Sequence, residues 1–419
     1  NIRGLSESPT LAINERVKQM QSRGEKVYNF GLGQSPFPVP VPVVEALRLH
    51  AHEKEYLPVK GLFPLKEAVA GFHRQKDLVE ANADYVLVGP GSKELMFLLQ
   101  LVFYGEIIVP TPCWVSYVPQ AQILGKRVSL LHTSFEDKWH IRADRLSELL
   151  EGEKDTYRPR LLVLNYPGNP DGLTYTANEL KKIAEVAREY ELILLSDEIY
   201  GQLHHRGGHV SVARFYPEGT IISSGLSKWC GAGGWRLGTF TFPRSLDWLM
   251  DAMAAVASET YTSVSAPIQY AAIEAFRGSM VIERYLWHAR RILSVLGQKC
   301  YRMLSDAGVR LHSPEGAFYM FPDFSPFAIE LAKKNIKTSK QLCERLFQDT
   351  AVAMLPGRVF ERPCEELTAR ISYINFSGSK SLAASETIAI HHELPAEFIQ
   401  AHCEETLRGM EILTEWLTS

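Results

Sequence analysis

The sequence predicts an α/β protein, a mostly parallel sheet between helices, followed by a smaller α+β domain. Three observations carry this. After residue 42, short apolar strands alternate with helical patterns, the signature of a parallel sheet. From about residue 280 the texture shifts to long helices with isolated strands. The chain has 419 residues, 46% of them apolar, enough for one large core and a second smaller one. The expected division is an N-terminal arm with part of the small domain over 1–42, a large domain over 43–285, and a small C-terminal domain over 286–419.

The arm ends in Pro36-Phe37-Pro38-Val39-Pro40-Val41-Pro42, which cannot be helix interior and reads as an extended segment. It is expected to pack on the second domain. Strands are predicted at 85–88, 107–109, 161–165, 192–196 and 220–224, with 238–242 as a sixth. The longest apolar run, 95–103, reads as a helix behind the first strand. It is far too short to span a bilayer. Thr176 and Glu179 form a capping box ahead of Leu180, Ile183 and Ala187, which share one helix face. In the second domain, 316–321 and 370–373 read as strands. Ile399, Cys403, Leu407, Met410, Leu413 and Leu417 form one stripe of a last helix.

Formal net charge is -3 and the pI about 6.5, so there is no basic footprint for nucleic acid or an anionic membrane. Nothing at the amino end resembles a signal peptide. The six cysteines lack metal-binding spacing and read as reduced thiols of a cytoplasmic protein.

Ligands of open parallel sheets bind beyond the carboxyl ends of the strands. The first strand runs into Gly89-Pro90-Gly91-Ser92-Lys93, either a structural turn or a helix start that binds phosphate through its N–H groups. The second leads to Pro112-Cys113-Trp114, whose tryptophan is core or stacks on a planar ligand. The third leads to Asn169-Pro170-Asp171-Gly172, a turn or an amide presented at a strand end. The fourth ends in Asp197-Glu198-Ile199-Tyr200. A carboxylate there is a helix cap or needs a cationic partner.

The fifth leads to Ser227-Lys228, then Gly231, Gly233, Gly234 and Trp235-Arg236-Leu237-Gly238. A single lysine is usually solvated. Five strand ends that each bear a group suited to one site are harder to dismiss. A desolvated lysine becomes a neutral nucleophile near pH 7, and an arginine eight residues on can clamp an anion. The pair suggests an imine-forming cofactor that carries a phosphate.

Together with Gly31-Leu32-Gly33, Tyr56 ahead of Gly61, Gly316-Ala317-Phe318-Tyr319 and Arg370-Ile371-Ser372, these motifs resemble fold-type I pyridoxal phosphate enzymes. The likeness is to class I/II aminotransferases of the aspartate aminotransferase kind, over nearly the whole chain. It implies a seven-stranded sheet and transfer of an amino group between an L-amino acid and a 2-oxo acid, with pyridoxal 5'-phosphate as cofactor. Lys228 would carry the cofactor as an aldimine and, once displaced, shuttle the α-proton to give pyridoxamine phosphate. Asp197 would pair with the ring nitrogen, and Tyr200 and Asn169 with its phenolic oxygen. Trp114 would stack on the ring. Gly91, Ser92, Lys93, Ser227 and Arg236 would surround the phosphate. Tyr56 would reach the phosphate of a neighbouring subunit, implying a homodimer with shared sites. Arg370 would hold the substrate α-carboxylate near Gly33, Trp114 and Asn169.

Three departures stand out. Asp171 replaces the usual threonine of the Asn-Pro-Thr-Gly turn, which is expected to hold. Gly225 stands where some relatives carry a phosphate-binding serine, for which Ser224 or Ser227 could substitute. Residues 259–263 lack the arginine that some dicarboxylate-specific relatives place there. A C–S β-lyase on the same fold is the alternative reaction. A nicotinamide-linked oxidoreductase is disfavoured, since Gly31-Leu32-Gly33 and Gly89-Pro90-Gly91 lack the third glycine of the fingerprint. A non-enzymatic regulator lacks room for a DNA-binding head. His204, His205 and His209 read as solvated loop histidines, with no carboxylate to complete a metal site.

Overall fold

The computed structural model describes residues 9–152 and 158–419, so the first eight residues of the expected arm lie outside the described residues. Seven strands form one sheet: β1 (Val86–Gly89), β2 (Glu106–Thr111), β3 (Val128–His132), β4 (Arg160–Asn165), β5 (Ile193–Asp197), β6 (Thr220–Gly225) and β7 (Gly238–Thr241). Their order is β1-β7-β6-β5-β4-β2-β3, with β7 antiparallel to both neighbours and the other pairings parallel. Helices cover both faces. Leu161 and Val163 of β4 pack on one side with Leu195 and Ile221, while Leu162 and Leu164 pack on the other with Leu194. A sheet buried on both faces explains why its strands read as continuous apolar runs rather than alternating ones.

Six of the seven strands lie where the sequence predicts, within about two residues at each end. The seventh, β3, was not predicted. It is an edge strand that pairs only with β2 and is partly exposed at Val128, Ser129 and Leu130, so it carries no apolar run. The capping box at Thr176 is formed, with both reciprocal hydrogen bonds, at the start of helix Ala177–Glu189.

Beyond the sheet, the 27-residue helix Met280–Asp306 crosses residue 286, the expected domain boundary. Three short strands, Tyr319–Met320, Leu355–Pro356 and Ala369–Ser372, form an antiparallel sheet with Ala369–Ser372 at its centre. Of the predicted 316–321 strand, Tyr319–Met320 is paired in this sheet, and Gly316 makes an isolated bridge to His204. Tyr28–Asn29 of the arm pairs in parallel with Val352–Ala353.

Two expectations need correction. The extended proline segment ends at Pro40, and helix Val41–Leu49 begins with Pro42 in its first turn. An N–H there has no helical partner, so its loss costs nothing. The last helix is two: Ala396–His402 and Glu404–Thr418, broken at Cys403 with φ -131°. All six stripe residues are nevertheless buried. The stripe follows the core it faces, and the core continues past the bend. Among the described residues no helix is long and apolar enough to cross a membrane.

Candidate active site

Sheet topology alone gathers the site. Strands β1, β2, β4, β5 and β6 share a direction, so their carboxyl ends lie along one edge. Because β7 runs the other way, its beginning falls on that edge, with Gly238 level with Gly89 on one side and Gly225 on the other. This register delivers Arg236, two residues upstream, to the turn that follows β1.

There Gly91 has φ +94°, and a Cβ on it would sit 2.2 Å from the Arg236 guanidinium. A Cβ on Gly238 would sit 2.2 Å from the Ser92 nitrogen. Glycine is required at both positions, by its positive φ at Gly91 and by close approach to backbone at Gly238. Gly91 precedes helix Ser92–Val102, which no side chain caps. Its first N–H groups and Arg236 therefore make a cradle for an anion.

A cavity of about 550 Å³ opens beside this cradle. Gly33, Ser92, Lys93, Trp114, Asn169, Asp197, Tyr200, Ser227, Lys228, Arg236 and Arg370 all line it. Thus eleven of the thirteen predicted site residues share one wall. Gly91 backs Arg236 just behind it. Tyr56 is not brought to this cavity and is 89% exposed. Of the two serines offered as substitutes at Gly225, Ser227 lines the cavity.

Lys228 is half-buried, and its Nζ donates to the Gly33 carbonyl at 2.5 Å. Burial, then the Arg370 charge, pull its pKa down to about 8. Asp197 accepts from Tyr117 Oη at 2.6 Å and Ser223 Oγ at 3.3 Å. Burial nevertheless pushes its pKa up to about 6. Arg370 is 1% exposed. It donates to Asn169 Oδ1 at 3.1 Å and the Gly31 carbonyl at 2.6 Å, with its guanidinium 4.7 Å from the Tyr319 ring centroid. Tyr200 and Tyr319 are joined through their hydroxyls at 2.8 Å. Asp171 accepts from the Leu173 N–H at 2.7 Å, and the turn holds as expected.

Tyr117, Asn165, Ser223 and Tyr319 were not singled out by residue type. Asn165 carries the Asn169 N–H on its Oδ1 and donates to the Asp197 carbonyl, tying two strand ends together. A signal existed for Tyr117, three residues past Trp114 at the same strand end. Tyr319 lies in a quoted motif, and only the tertiary fold shows that it meets Tyr200.

The histidine reading is overturned. The His209 side chain is 5% exposed and meets Glu198 Oε2 at 2.8 Å. Ser196 and Ser211 donate to the other carboxylate oxygen. Glu198 follows Asp197 at the strand end but turns away from the cavity, and a buried carboxylate there needs a cation. Asp77, bound by His73, offers a carboxylate oxygen within 4.8 Å of the Glu198 and His209 ligand atoms. Burial lowers the pKa of both His204 and His205 to about 4.

The family model for aminotransferase class I and II matches residues 25–382. The chain belongs to this family. It is 30% identical to an aspartate aminotransferase of Bacillus sp. (strain YM-2) over 382 residues, 89% of this chain and 93% of that one. It is 31% identical to the aspartate aminotransferase of Geobacillus stearothermophilus over 397 residues, 92% and 95% of the two chains. The solved aspartate aminotransferase from Thermus thermophilus with maleate superposes with a TM-score of 0.84 at 26% identity, covering 99% of this chain and 98% of that one.

As a member of this family the protein is a pyridoxal phosphate-dependent transaminase with amino acid and 2-oxo acid substrates. The cavity fits that cofactor. It offers a glycine cradle with a cation for the phosphate, a desolvated amine, and a buried carboxylate whose pKa burial raises.

Proposed function

We propose that the chain transfers the amino group of an acidic L-amino acid to a 2-oxo acid, using Lys228 as the residue that holds the cofactor and moves the α-proton. Its support is one observation. A half-buried amine with a pKa near 8 shares a cavity with a buried arginine whose guanidinium, among the described residues, is bonded only to neutral oxygens, Asn169 Oδ1 and the Gly31 carbonyl. That arginine has full charge left for a carboxylate. When bound, pyridoxal phosphate supplies an electron sink for the pair left at Cα once the proton departs. Lys228 takes that proton as general base and returns it as general acid, which suits a pKa close to the working pH. Asp197, steadied by Tyr117 and Ser223, is assigned to hold a proton on the ring nitrogen. The Ser92 and Lys93 N–H groups, Ser227 and Arg236 are assigned to the phosphate, Trp114 to the ring face, and Tyr200 and Asn169 to its phenolic oxygen.

Arg370, with Gly33 and Asn169 beside it, is assigned to the α-carboxylate. The Lys93 ammonium, 5.2 Å from the Trp114 ring centroid, is then a second cation in the cavity. It suits a side-chain carboxylate, in keeping with the names of the bacterial relatives. In this reading residues 43–285 carry the cofactor. Residues 286–419, with the arm 1–42, form the small domain. Exposed Tyr56 serves the neighbouring subunit of a cytoplasmic homodimer.

The test adds single amino acids to the loaded enzyme and follows the cofactor's absorbance. Aspartate or glutamate should convert it to the amine form faster than alanine or leucine. Equal rates would remove the acidic-donor assignment, and release of pyruvate and ammonia would indicate the β-lyase.

A further inference from the structure

A second cavity, about 770 Å³, lies away from the catalytic one, along the outer face of helix Met280–Asp306. Trp287, Arg290, Arg291, Ser294, Gln298, Lys299 and Arg302 follow one another at helical spacing on that face. From 287 to 302 they span about 22 Å at 1.5 Å per residue. Arg206, on the loop after Tyr200, forms one side wall, and residues 390–400 form the other.

The charge is one-sided. Arg206, Arg290, Arg291, Lys299 and Arg302 face a single carboxylate, Glu393, in a chain whose net charge is -3. None of the five has an ion-pair partner among the described residues. Two of them are built in. Arg291 donates to the carbonyls of Ser385, Ile388, Ala389 and His392, and so fixes the loop that becomes the wall. Arg290 donates through Nε to the Gln202 carbonyl at 2.6 Å and through Nη2 to Gln202 Oε1. Burial lowers the pKa of both, against the nearby Glu283 charge at Arg290, so each cation is held partly desolvated and hydrogen-bonded to neutral acceptors. Such groups attract an anion more strongly than solvated lysines do. Part of the wall, residues 390–400, lies beyond the 25–382 covered by the family match.

We propose that this groove is a second ligand site, for a small molecule carrying a polyphosphate chain. The volume is in the range of small-molecule pockets. Guanidinium and ammonium groups repeated along about 22 Å of helix suit an elongated, multiply charged oxyanion better than one compact carboxylate. The site is independent of the transamination assignment, and it has a short route to it. Arg290 donates to the Gln202 carbonyl in the turn that follows Tyr200, and His205 farther along that loop reaches the Ala317 carbonyl, two residues from Tyr319.

The experiment is calorimetric titration of the pyridoxal phosphate-loaded enzyme with tripolyphosphate, so that the catalytic phosphate cradle is already filled. One ligand per chain is expected, with a dissociation constant below about 1 mM. Lys299→Glu combined with Arg302→Glu should weaken it at least tenfold, with steady-state transamination without tripolyphosphate unchanged. These two exposed side chains have no bonded partners to lose, so the variant should fold. Lys181→Glu with Lys182→Glu, on another helix, should leave binding unchanged. Absence of saturable binding would overturn the proposal. So would equal weakening by both double variants, competition with the cofactor, or citrate binding as tightly as tripolyphosphate.

Discussion

Asp197 and Glu198 are neighbours at the tip of one strand, both buried, and they live in opposite electrostatic worlds. Successive side chains of a strand face opposite ways, so one carboxylate enters the cavity and the other enters the protein. Asp197 is held by two hydroxyls without a cation in contact, and its pKa rises to about 6. Glu198 meets His209 and two serines; its pKa is lowered while that of His209 is raised, the mark of an ionised pair. A satisfied buried charge is structural. One that is hydrogen-bonded but has no salt bridge among the described residues, and that lines a cavity, can still take a cationic ligand.

The sharpest way to break this comparison is to neutralise each acid in turn. Asp197→Asn should lower kcat by about 10²–10³-fold, the scale of losing one key electrostatic partner, while the melting temperature of the apoprotein holds. Glu198→Gln should do the reverse. It strands a buried His209 and should cost about 3–5 kcal/mol in stability, with cofactor spectrum and substrate KM retained in the folded fraction. If denaturation and kinetics show the same pattern for both, the two environments are not functionally distinct.

A smaller effect comes from pH. The raised His209 pKa stabilises the fold fully below the ordinary imidazole value of about 6.5, and the gain is lost as pH climbs through the folded value. The lowered Glu198 pKa stabilises above about 4.5, and is lost as pH falls through its folded value. The stability gap between wild type and His209→Gln should therefore peak between about 4.5 and 6.5 and narrow on both sides. A gap that widens steadily with pH would contradict the ion pair.

Smallest is the shift expected for Tyr117→Phe. Removing the 2.6 Å hydrogen bond to Asp197 should raise that carboxyl's pKa further and weaken cofactor binding by about tenfold, the scale of a buried charge-assisted bond. Unchanged affinity would show that Ser223 suffices.

The same two residues show how far a sequence can be read. Asp197 was legible because strand ends of a parallel sheet are where ligands bind, and because Asp197-Glu198-Ile199-Tyr200 is one of the motifs that carry the family resemblance. Glu198 was invisible as a structural acid, since its cation is eleven residues away in a loop that looks solvated. His209 is buried against the Tyr166 ring and Glu198, which the tertiary fold brings to it. The β3 edge strand and the break at Cys403 escaped for a related reason: both are set by what packs against them, and neither leaves a periodic trace. Residues whose task is to touch a ligand had to be special types at special places. Those that hold them, Tyr117 and Tyr319 among them, had only to be the right shape.

In the proposed function Lys228 is the amine that carries the cofactor; burial and the Arg370 charge lower its pKa to about 8. A lowered lysine pKa means the neutral, reactive amine gains as pH rises through 8. The direct measurement is the rate of pyridoxal phosphate uptake by the apoprotein across pH 6–10, followed by borohydride reduction and peptide mapping. The rate should rise to a plateau with a midpoint near 8, with label on Lys228 and no labelled site in Lys228→Ala. Label on another lysine, or a midpoint near the ordinary lysine value of about 10.5, would contradict it.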